Sequence, residues 1–277
     1  MNSHSFLLLV LAALPLAAQP VDDAMAKPFV KFVDGFQGCT TFAPDGKTVY
    51  FITLRGEKRI TTIMEGHLQD GKWTAAIAPF SGVYSDGDPA LSPDGSRLVF
   101  WSRRPDEEKP KEGWWPDLWY VKRTGETWSE PRHVPGTLRT GGPSIAADGT
   151  LYFFKVTDDK GKQTRLVRAR PDKGGYGQIE DLGETVNGAY GGLDPVIAPD
   201  QSYIIFSSRR PDSIGDGDFY ISHRKPDGWT EPRNLGPNVN SKSGEYCPSL
   251  SPDGKVFYFT RGEEGVFYAP LPGLLKK

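Results

Sequence analysis

Apolar and polar residues alternate along most of this chain in short runs, and the runs recur at nearly constant spacing. Five times, a short apolar stretch leads into a turn of the Pro-Asp-Gly type and then into an alternating run rich in Val, Ile, Phe and Tyr. Proline presets φ and glycine accepts positive φ, so such a turn suits a hairpin between two strands. Alternation indicates a strand with one face in a core. The pattern therefore predicts five hairpins.

Aligning the turns on their Asp reveals a repeat. The segments are TFAPDGKTVYFIT, LSPDGSRLVFWS, IAADGTLYFFK, IAPDQSYIIFSS and LSPDGKVFYFT, and their aligned residues are Asp45, Asp94, Asp148, Asp200 and Asp253. The spacings are 49, 54, 52 and 53 residues. A third strand follows, as at 117–123 and 218–224, and then a fourth, as at 126–134 and 227–235. Four strands in about fifty residues is the period of a propeller blade, whereas a β-sandwich with accidental similarity would not keep this spacing.

The fifth unit has no fourth strand of its own, because only PGLLKK follows its third strand at 265–271. The β-prone stretch at 29–34 belongs to no unit and precedes Asp45 by a fitting distance. We therefore expect residues 29–34 to form the outer strand of the fifth blade, which closes the ring and leaves no large open edge. The predicted fold is all-β: a single five-bladed β-propeller domain of four-stranded blades, spanning residues 25–273.

The motifs SPDGxxLxFxSxR, DLWY and DGWTEPRNLGPNVNS…EYCPSLSPDG resemble the TolB-like (WD-like) propeller repeat of exported bacterial proteins. The resemblance covers nearly all of the chain after the N-terminal segment. It implies a β-propeller in the cell envelope or outside the cell, often serving protein recognition. It does not imply an activity, and because the propeller of TolB itself is joined to a second domain, the particular partners of TolB are not carried over.

The N-terminus carries an apolar run from Phe6 to Ala18, which is too short to span a bilayer and suits the core of a signal peptide. We expect residues 1–18 to be a signal peptide and the mature protein to be periplasmic or extracellular. The alternative is a buried N-terminal strand or helix, since no Lys or Arg precedes the run. A formal net charge of −2 gives no basic face, so the sequence indicates no nucleic-acid partner.

The loops before the first strand of each blade share one face with the loops between its second and third strands; we call this the loop face. Loops on a rigid scaffold usually carry function, so we expect a ligand there. Six residues before each aligned Asp stand Cys39, Asp88, Gly142, Asp194 and Cys247. Asp88 and Asp194, with Asp86 and Glu245 nearby, are candidates for an acidic ring that takes a cation, a sugar hydroxyl or a basic side chain. Alternatively, these carboxylates accept backbone N–H groups of their own or the next blade.

Further candidates surround this acidic centre. Arg104 and Arg210 stand at matching positions after the second strand and bind a ligand or form salt bridges to neighbouring blades. Tyr190 and Tyr246 belong to the loops before the first strands. Trp114 and Trp115 stand in the loop at 105–117 and suit sugar stacking or a protein contact, unless they fold down between blades.

Cys39 and Cys247 occupy the same position of the repeat in the first and fifth blades, which are neighbours in a closed ring. A disulfide between them would clamp the closure, worth on the order of 4–5 kcal/mol in the chain-entropy model. The alternative is that adjacent inner strands hold the Cα atoms beyond the roughly 7 Å that a disulfide tolerates.

The sequence contains no G-x-S-x-G or H-E-x-x-H motif. No cofactor is expected; the DGD triplets at 86–88 and 216–218 leave calcium as an alternative, although neither loop has the Glu at position twelve of an EF-hand. We therefore expect a non-enzymatic propeller that binds a protein, peptide or cell-envelope ligand. The alternatives are a glycoside hydrolase that uses a pair of channel carboxylates and a lectin that uses the Trp side chains.

Overall fold

The computed structural model describes residues 25–105, 115–173 and 175–276 of the chain. The predicted signal peptide and Trp114 lie outside these ranges. Five separate antiparallel sheets surround a central channel, and each corresponds to one unit of the repeat. The five-bladed β-propeller is thereby confirmed.

The strands run outward from the channel in chain order within each blade. Blade 1 contains β2 (Gly38–Phe42), β3 (Thr48–Arg55), β4 (Ile60–Gln69) and β5 (Lys72–Ile77). Blade 2 contains β6 (Asp86–Leu91), β7 (Arg97–Ser102), β8 (Asp117–Thr124), β9 (Thr127–Trp128) and β10 (Arg132–His133). Blade 3 contains β11 (Thr140–Ile145), β12 (Leu151–Val156), β13 (Thr164–Asp172) and β14 (Gly175–Asp181).

Blade 4 contains β15 (Leu193–Ile197), β16 (Tyr203–Ser208), β17 (Asp218–Lys225), β18 (Gly228–Trp229) and β19 (Arg233–Asn234). Blade 5 contains β20 (Glu245–Leu250), β21 (Val256–Arg261), β22 (Gly265–Pro270) and, from the other end of the chain, β1 (Lys27–Pro28). Two one-turn helices, α1 (Glu184–Asn187) and α2 (Leu271–Leu274), complete the described secondary structure. Among the described residues, no helix is both long enough and apolar enough to cross a membrane.

The outer strands of blades 2 and 4 are each broken into two short pieces. Pro131 and Pro232 stand between the pieces, where a proline cannot donate the N–H that the ladder needs. The predicted fourth strands at 126–134 and 227–235 are therefore β9 with β10 and β18 with β19. These two edges are short, which is how native sheets avoid pairing with other chains.

Apolar side chains fill the five spaces between neighbouring blades, and one buried cluster lies at each interface. The repeated phenylalanines that end the predicted second strands are all fully buried: Phe51, Phe100, Phe153, Phe206 and Phe259. A ring in which every interface is apolar has no weak junction at which it opens. The apolar residues of the alternating sequence pattern are thus the ones that pack one blade against the next.

The N-terminal segment closes the ring, but earlier in the chain than expected. Lys27 and Pro28 pair with β22, and the Phe29 N–H donates to the Val266 carbonyl, so the expected strand bounds of 29–34 are wrong. The following residues leave the sheet because Phe32 packs on Phe51 and Trp73 of blade 1, with ring centroids 4.7 and 5.1 Å apart. The segment therefore joins blade 5 to blade 1 through both pairing and packing.

Candidate functional site

A ring of five residues narrows the channel, one from each innermost strand. Each has a positive φ between 45° and 56°, and each lies where the register of its strand shifts at a bulge: Cys39, Asp88, Gly142, Asp194 and Cys247. A bulge re-aims the side chain at its position. The sequence repeat identified this position but not its left-handed backbone, which four non-glycine residues adopt.

Asp88 and Asp194 face each other across Gly142. The Gly142 N–H donates to Asp88 Oδ2 at 3.2 Å, and a Cβ placed on Gly142 would lie 2.7 Å from Asp194 Oδ1. The Cys247 N–H donates to Asp194 Oδ2 at 3.2 Å. Each carboxylate thus accepts a backbone N–H from the ring residue of the next blade, which is the arrangement of the structural alternative raised above. The two side chains are partly buried.

The surroundings of this pair favour the uncharged form. Burial raises the pKa of Asp88 to about 8, with a further contribution from the charge of Asp194, while the Trp101 indole and the Gly142 N–H oppose the rise. Burial raises the pKa of Asp194 to about 6, against the Cys247 N–H. Asp88 Oδ1 lies 3.5 Å from Cys247 Sγ, and a disulfide sulfur carries no proton. A hydrogen bond there requires a protonated Asp88, which agrees with the raised pKa.

Cys39 and Cys247 form a disulfide with their Cα atoms 4.7 Å apart. The link joins the innermost strands of blades 1 and 5 across 208 residues of chain. The sulfur atoms and an Asp88 oxygen lie within 4.8 Å of one another, a spacing that could hold a metal ion. Metals bind the thiolate, however, and the bonded sulfurs offer none, so this donor set does not fit a metal.

Asp86 and Glu245 do not join the acidic ring. Asp86 is fully buried and accepts from Arg104 Nη2 at 2.9 Å, and Glu245 accepts from Arg261 Nε at 2.9 Å. Burial raises the pKa of both carboxyls, and the adjacent guanidinium opposes the rise in each case. Both are ion pairs within one blade: Arg261 lies in the second strand of blade 5, and Arg104 lies just after the second strand of blade 2.

The arginines also hold the loop that leads into their own blade. Arg104 donates to the Phe80 carbonyl, Arg210 to that of Val186 and Arg261 to that of Val239, all three within such loops. Sequence alignment paired Arg104 with Arg210 but missed Arg261, which stands two positions earlier in its unit. Glu245 occupies in blade 5 the position that Asp86 occupies in blade 2, and this acidic residue was the sequence signal that could have identified Arg261.

The aromatic candidates lie apart from one another. Tyr246 donates its hydroxyl to the Gly262 carbonyl at 2.9 Å, whereas Tyr190 is half exposed, with the Arg210 guanidinium 5.9 Å from its ring centroid. Trp115 is partly buried against Gly161 of blade 3, and the Arg139 guanidinium lies 4.7 Å from its ring centroid. Trp115 thus bridges two blades.

The channel cavity has a volume of about 130 Å³ and lies below the ring, away from the loop face. Its wall starts at Cys39, Asp88, Gly142, Asp194 and Cys247 and ends at the prolines of the hairpin turns: Pro44, Pro93, Pro199 and Pro252. These prolines are exposed. The cavity therefore opens on the face of the hairpin turns, which we call the turn face, and the acidic pair lies at its other end, at the ring.

The loop face carries exposed apolar side chains instead. Five large hydrophobic residues of its loops and strand ends are between 40% and 77% exposed: Val83, Leu138, Tyr190, Leu193 and Ile214. They belong to blades 2, 3 and 4. Large apolar side chains that a protein leaves exposed on one face are candidates for an interaction surface.

Comparison with known proteins shows the fold. No protein-family model and no curated protein matches the chain. Among solved structures, TolB from Acinetobacter baumannii superposes with a TM-score of 0.58 at 16% identity, over 87% of this chain and 53% of that one. The chain thus spans about half the length of that protein. The resemblance of the repeat to the TolB-like propeller is confirmed at the level of the fold.

Enzymes have the same fold. A gluconolactonase from Xanthomonas campestris gives a TM-score of 0.54 at 11% identity, covering 84% of this chain and 71% of that one. A thermostable family-43 glycoside hydrolase gives 0.53 at 12% identity, covering 84% and 88%. TolB and these enzymes thus share the fold, so the function has to be argued from the site.

Proposed function

We propose that this protein is an exported, non-catalytic recognition propeller that binds a protein partner through its loop face. The observation that carries the proposal is that five large apolar side chains are exposed on the loop face of the rigid ring: Val83, Leu138, Tyr190, Leu193 and Ile214. Protein interfaces combine an apolar centre with a polar rim. The exposed pair Arg209–Asp216, with its atoms 3.1 Å apart, supplies polar groups on the same face.

The charged residues expected to contact a ligand support binding over catalysis. Asp86 and Glu245 are paired with arginines inside their blades, and Arg104 and Arg210 hold loops. These contacts set the shape of the loop face without placing reactive groups on it. Shape and apolar contact, rather than a catalytic centre, are therefore what this surface offers.

The experiment is affinity capture from envelope extract with three forms of the protein. Wild type is compared with the variant Val83→Asp/Leu193→Asp and with Lys47→Glu, an exposed change on the turn face. We expect one partner that wild type and Lys47→Glu both retain and that the double variant loses. Equal capture by all three forms would reject the loop face.

Glycoside hydrolysis is the second candidate, and it rests on the pair Asp88 and Asp194. Two carboxyls with pKa values raised to about 8 and about 6 can supply an acid and a base. The channel opposes this function, because a cavity of about 130 Å³ is smaller than the roughly 150 Å³ that accommodates one benzene in an engineered core. Release of 4-nitrophenol from aryl glycosides by wild type, lost in Asp88→Asn, would establish it.

Export is tested by the N-terminus of the protein recovered from cells. Removal of residues 1–18 and recovery in the periplasmic or culture fraction are expected from the apolar run at 6–18. An intact N-terminus in the cytoplasmic fraction would contradict the proposed location.

A further inference from the structure

The ring end of the channel holds two carboxyls, Asp88 and Asp194, that have no basic partner in the part of the chain that the structure describes. Among the residues that the structure describes, no Lys, Arg or His forms an ion pair with Asp88 or Asp194, and only N–H groups oppose the effect of burial on them. Asp86 and Glu245, by contrast, each have an arginine at 2.9 Å. A carboxylate that is withdrawn from water without a cation is costly, so it takes up a proton or a positive ligand.

The remaining titratable group at this end cannot supply that charge. Burial and the charges of Asp194 and Asp88 raise the pKa of Tyr246 to about 12, and its hydroxyl is already used by the Gly262 carbonyl. The phenol is neutral throughout the physiological range. Among the described residues around the pair, no side chain therefore supplies the positive charge that Asp86 and Glu245 receive from arginines.

The wall of the cavity suits an aliphatic chain. It is built from prolines and from branched residues such as Leu91, Val196 and Ile197, with hydroxyls between them. From the ring to the turn prolines, the innermost strands cover five residues, or about 16 Å. The apolar length of this wall suits the methylene groups of an unbranched chain.

Two hydroxyls of the wall also lack partners. Thr40 Oγ1 and Ser249 Oγ are buried and make no hydrogen bond, and the residues are 2% and 8% exposed. The positions that match Ser249 in blades 1 and 3 are used differently: Thr41 Oγ1 accepts the Leu91 N–H and Ser144 Oγ the Ile197 N–H of the next blade. A buried hydroxyl without a partner is uncommon and indicates a bonding group that is not present.

We propose that the channel binds a primary alkylammonium ion from the turn face, with its head between Asp88 and Asp194 and its stem along the proline wall. An ammonium has three N–H donors, which the two carboxylates and a wall hydroxyl can accept. The ion supplies the charge that the pair lacks, and the wall excludes water from its methylene groups. This site is independent of the loop face.

Binding is linked to protonation. The pair holds a proton near neutral pH in the free protein, and the ammonium replaces it, so one proton is released per ion bound. Affinity therefore rises with pH until the pair ionises without the ligand, a point that lies above the ordinary range of a carboxyl because burial raises the pKa of both groups.

Calorimetric titration of the protein with n-butylamine at pH 7 is the direct test. We expect saturable binding and proton release. The buffer takes up the released proton, so the measured heat varies with the ionisation enthalpy of the buffer. n-Butanol, which has the stem without the charge, and tert-butylamine, which has the charge on a branched stem, should each bind at least about tenfold more weakly. A short blocked peptide with one lysine then tells whether the mouth also admits an ammonium carried on a backbone.

Variants locate the site. Asp88→Asn and Asp194→Asn keep the left-handed backbone, which Asn tolerates, and should each weaken n-butylamine binding at least about tenfold. Glu264→Gln, on the loop face, should leave it unchanged. The proposal is overturned if n-butylamine gives no saturable heat, if n-butanol binds equally well, or if binding survives in the Asp88→Asn/Asp194→Asn double variant. The comparison of the two butyl ligands needs no variant, so misfolding cannot obscure the result.

Discussion

At the residue scale, the repeat placed the ring residues but could not supply their contacts. Equivalent positions for Cys39, Asp88 and Asp194 follow from counting back from the aligned Asp. Their partners depend on the left-handed bulge, which aims the Gly142 and Cys247 N–H groups at the carboxylates of the preceding blades. Such a backbone is uncommon outside glycine, so residue type gave no signal for it.

The first prediction concerns pH. Asp88 has a higher pKa folded, about 8, than the roughly 3.9 of an unfolded chain, so the folded state holds the proton longer. Its contribution to stability is present below pH 4 and is lost as pH rises to 8. Asp88→Asn should therefore melt with wild type at pH 4 but above it at pH 8, by at least about 1 kcal/mol or 2–4 °C.

Asp94→Asn is the matched control for that experiment. Hydrogen bonds from Ser92 and Ser96 lower the pKa of this turn carboxyl, so its contribution is present at neutral pH and is lost in acid. This variant should melt below wild type at pH 8. A melting temperature of Asp88→Asn that stays below wild type at every pH would contradict the raised pKa.

The second prediction concerns the buried pair of Asp86 and Arg104. Arg104→Met leaves a fully buried carboxylate unpaired and should lower the free energy of unfolding by about 3–5 kcal/mol. Asp86→Asn/Arg104→Met should lose less than the single variant, because no unpaired charge remains. Urea denaturation of wild type, Arg104→Met, Asp86→Asn and the double variant measures the coupling; additive losses would show that the pair acts as two separate contacts.

At the scale of the strand, closure of the ring was foreseeable and its bounds were not. The missing fourth strand of the fifth unit predicted that an N-terminal segment would complete it. Pairing with blade 5 ends at Phe29 because Phe32 turns toward Phe51 and Trp73 of blade 1. The periodicity of so short a segment cannot tell which of the two blades its apolar side chains contact.

The third prediction tests that packing. Phe32→Ala removes a buried ring at the junction of blades 5 and 1 and should cost about 3–5 kcal/mol of stability. Met25→Ala, at an exposed position close by in the chain, should cost almost nothing. The two variants are compared by thermal melting, and equal melting temperatures would mean that the segment does not secure the ring.

The disulfide is the covalent counterpart of this closure. It joins blade 1 to blade 5 over 208 residues, so its removal should cost on the order of 4 kcal/mol in the chain-entropy model. Cys39→Ser/Cys247→Ser should melt well below the oxidised wild type and should not respond to a reductant. Oxidised wild type that melts with the double variant would show that the link adds no stability.

At the scale of the whole molecule, the sequence predicted the architecture well because five copies of one pattern reinforce each other. It predicted the site less well because function depends on how the copies differ. Arg261 stands out of phase with Arg104, and Trp115 lies on blade 3 rather than in solvent. The loop face was expected to hold the acidic site, yet the cavity beside Asp88 and Asp194 opens on the turn face.

The two faces thus differ in chemistry: the loop face is apolar, and the turn face opens into an acidic channel. The central claim is that the loop face binds a protein. The most direct measurement is photo-crosslinking in envelope extract from a photoreactive residue placed at Leu193 or, on the turn face, at Pro93. We predict a single discrete crosslinked product from position 193. This product should be absent from position 93 and should be lost when Leu138→Asp is added. Products of the same mass and yield from both positions, or a product at 193 that Leu138→Asp leaves intact, would contradict it.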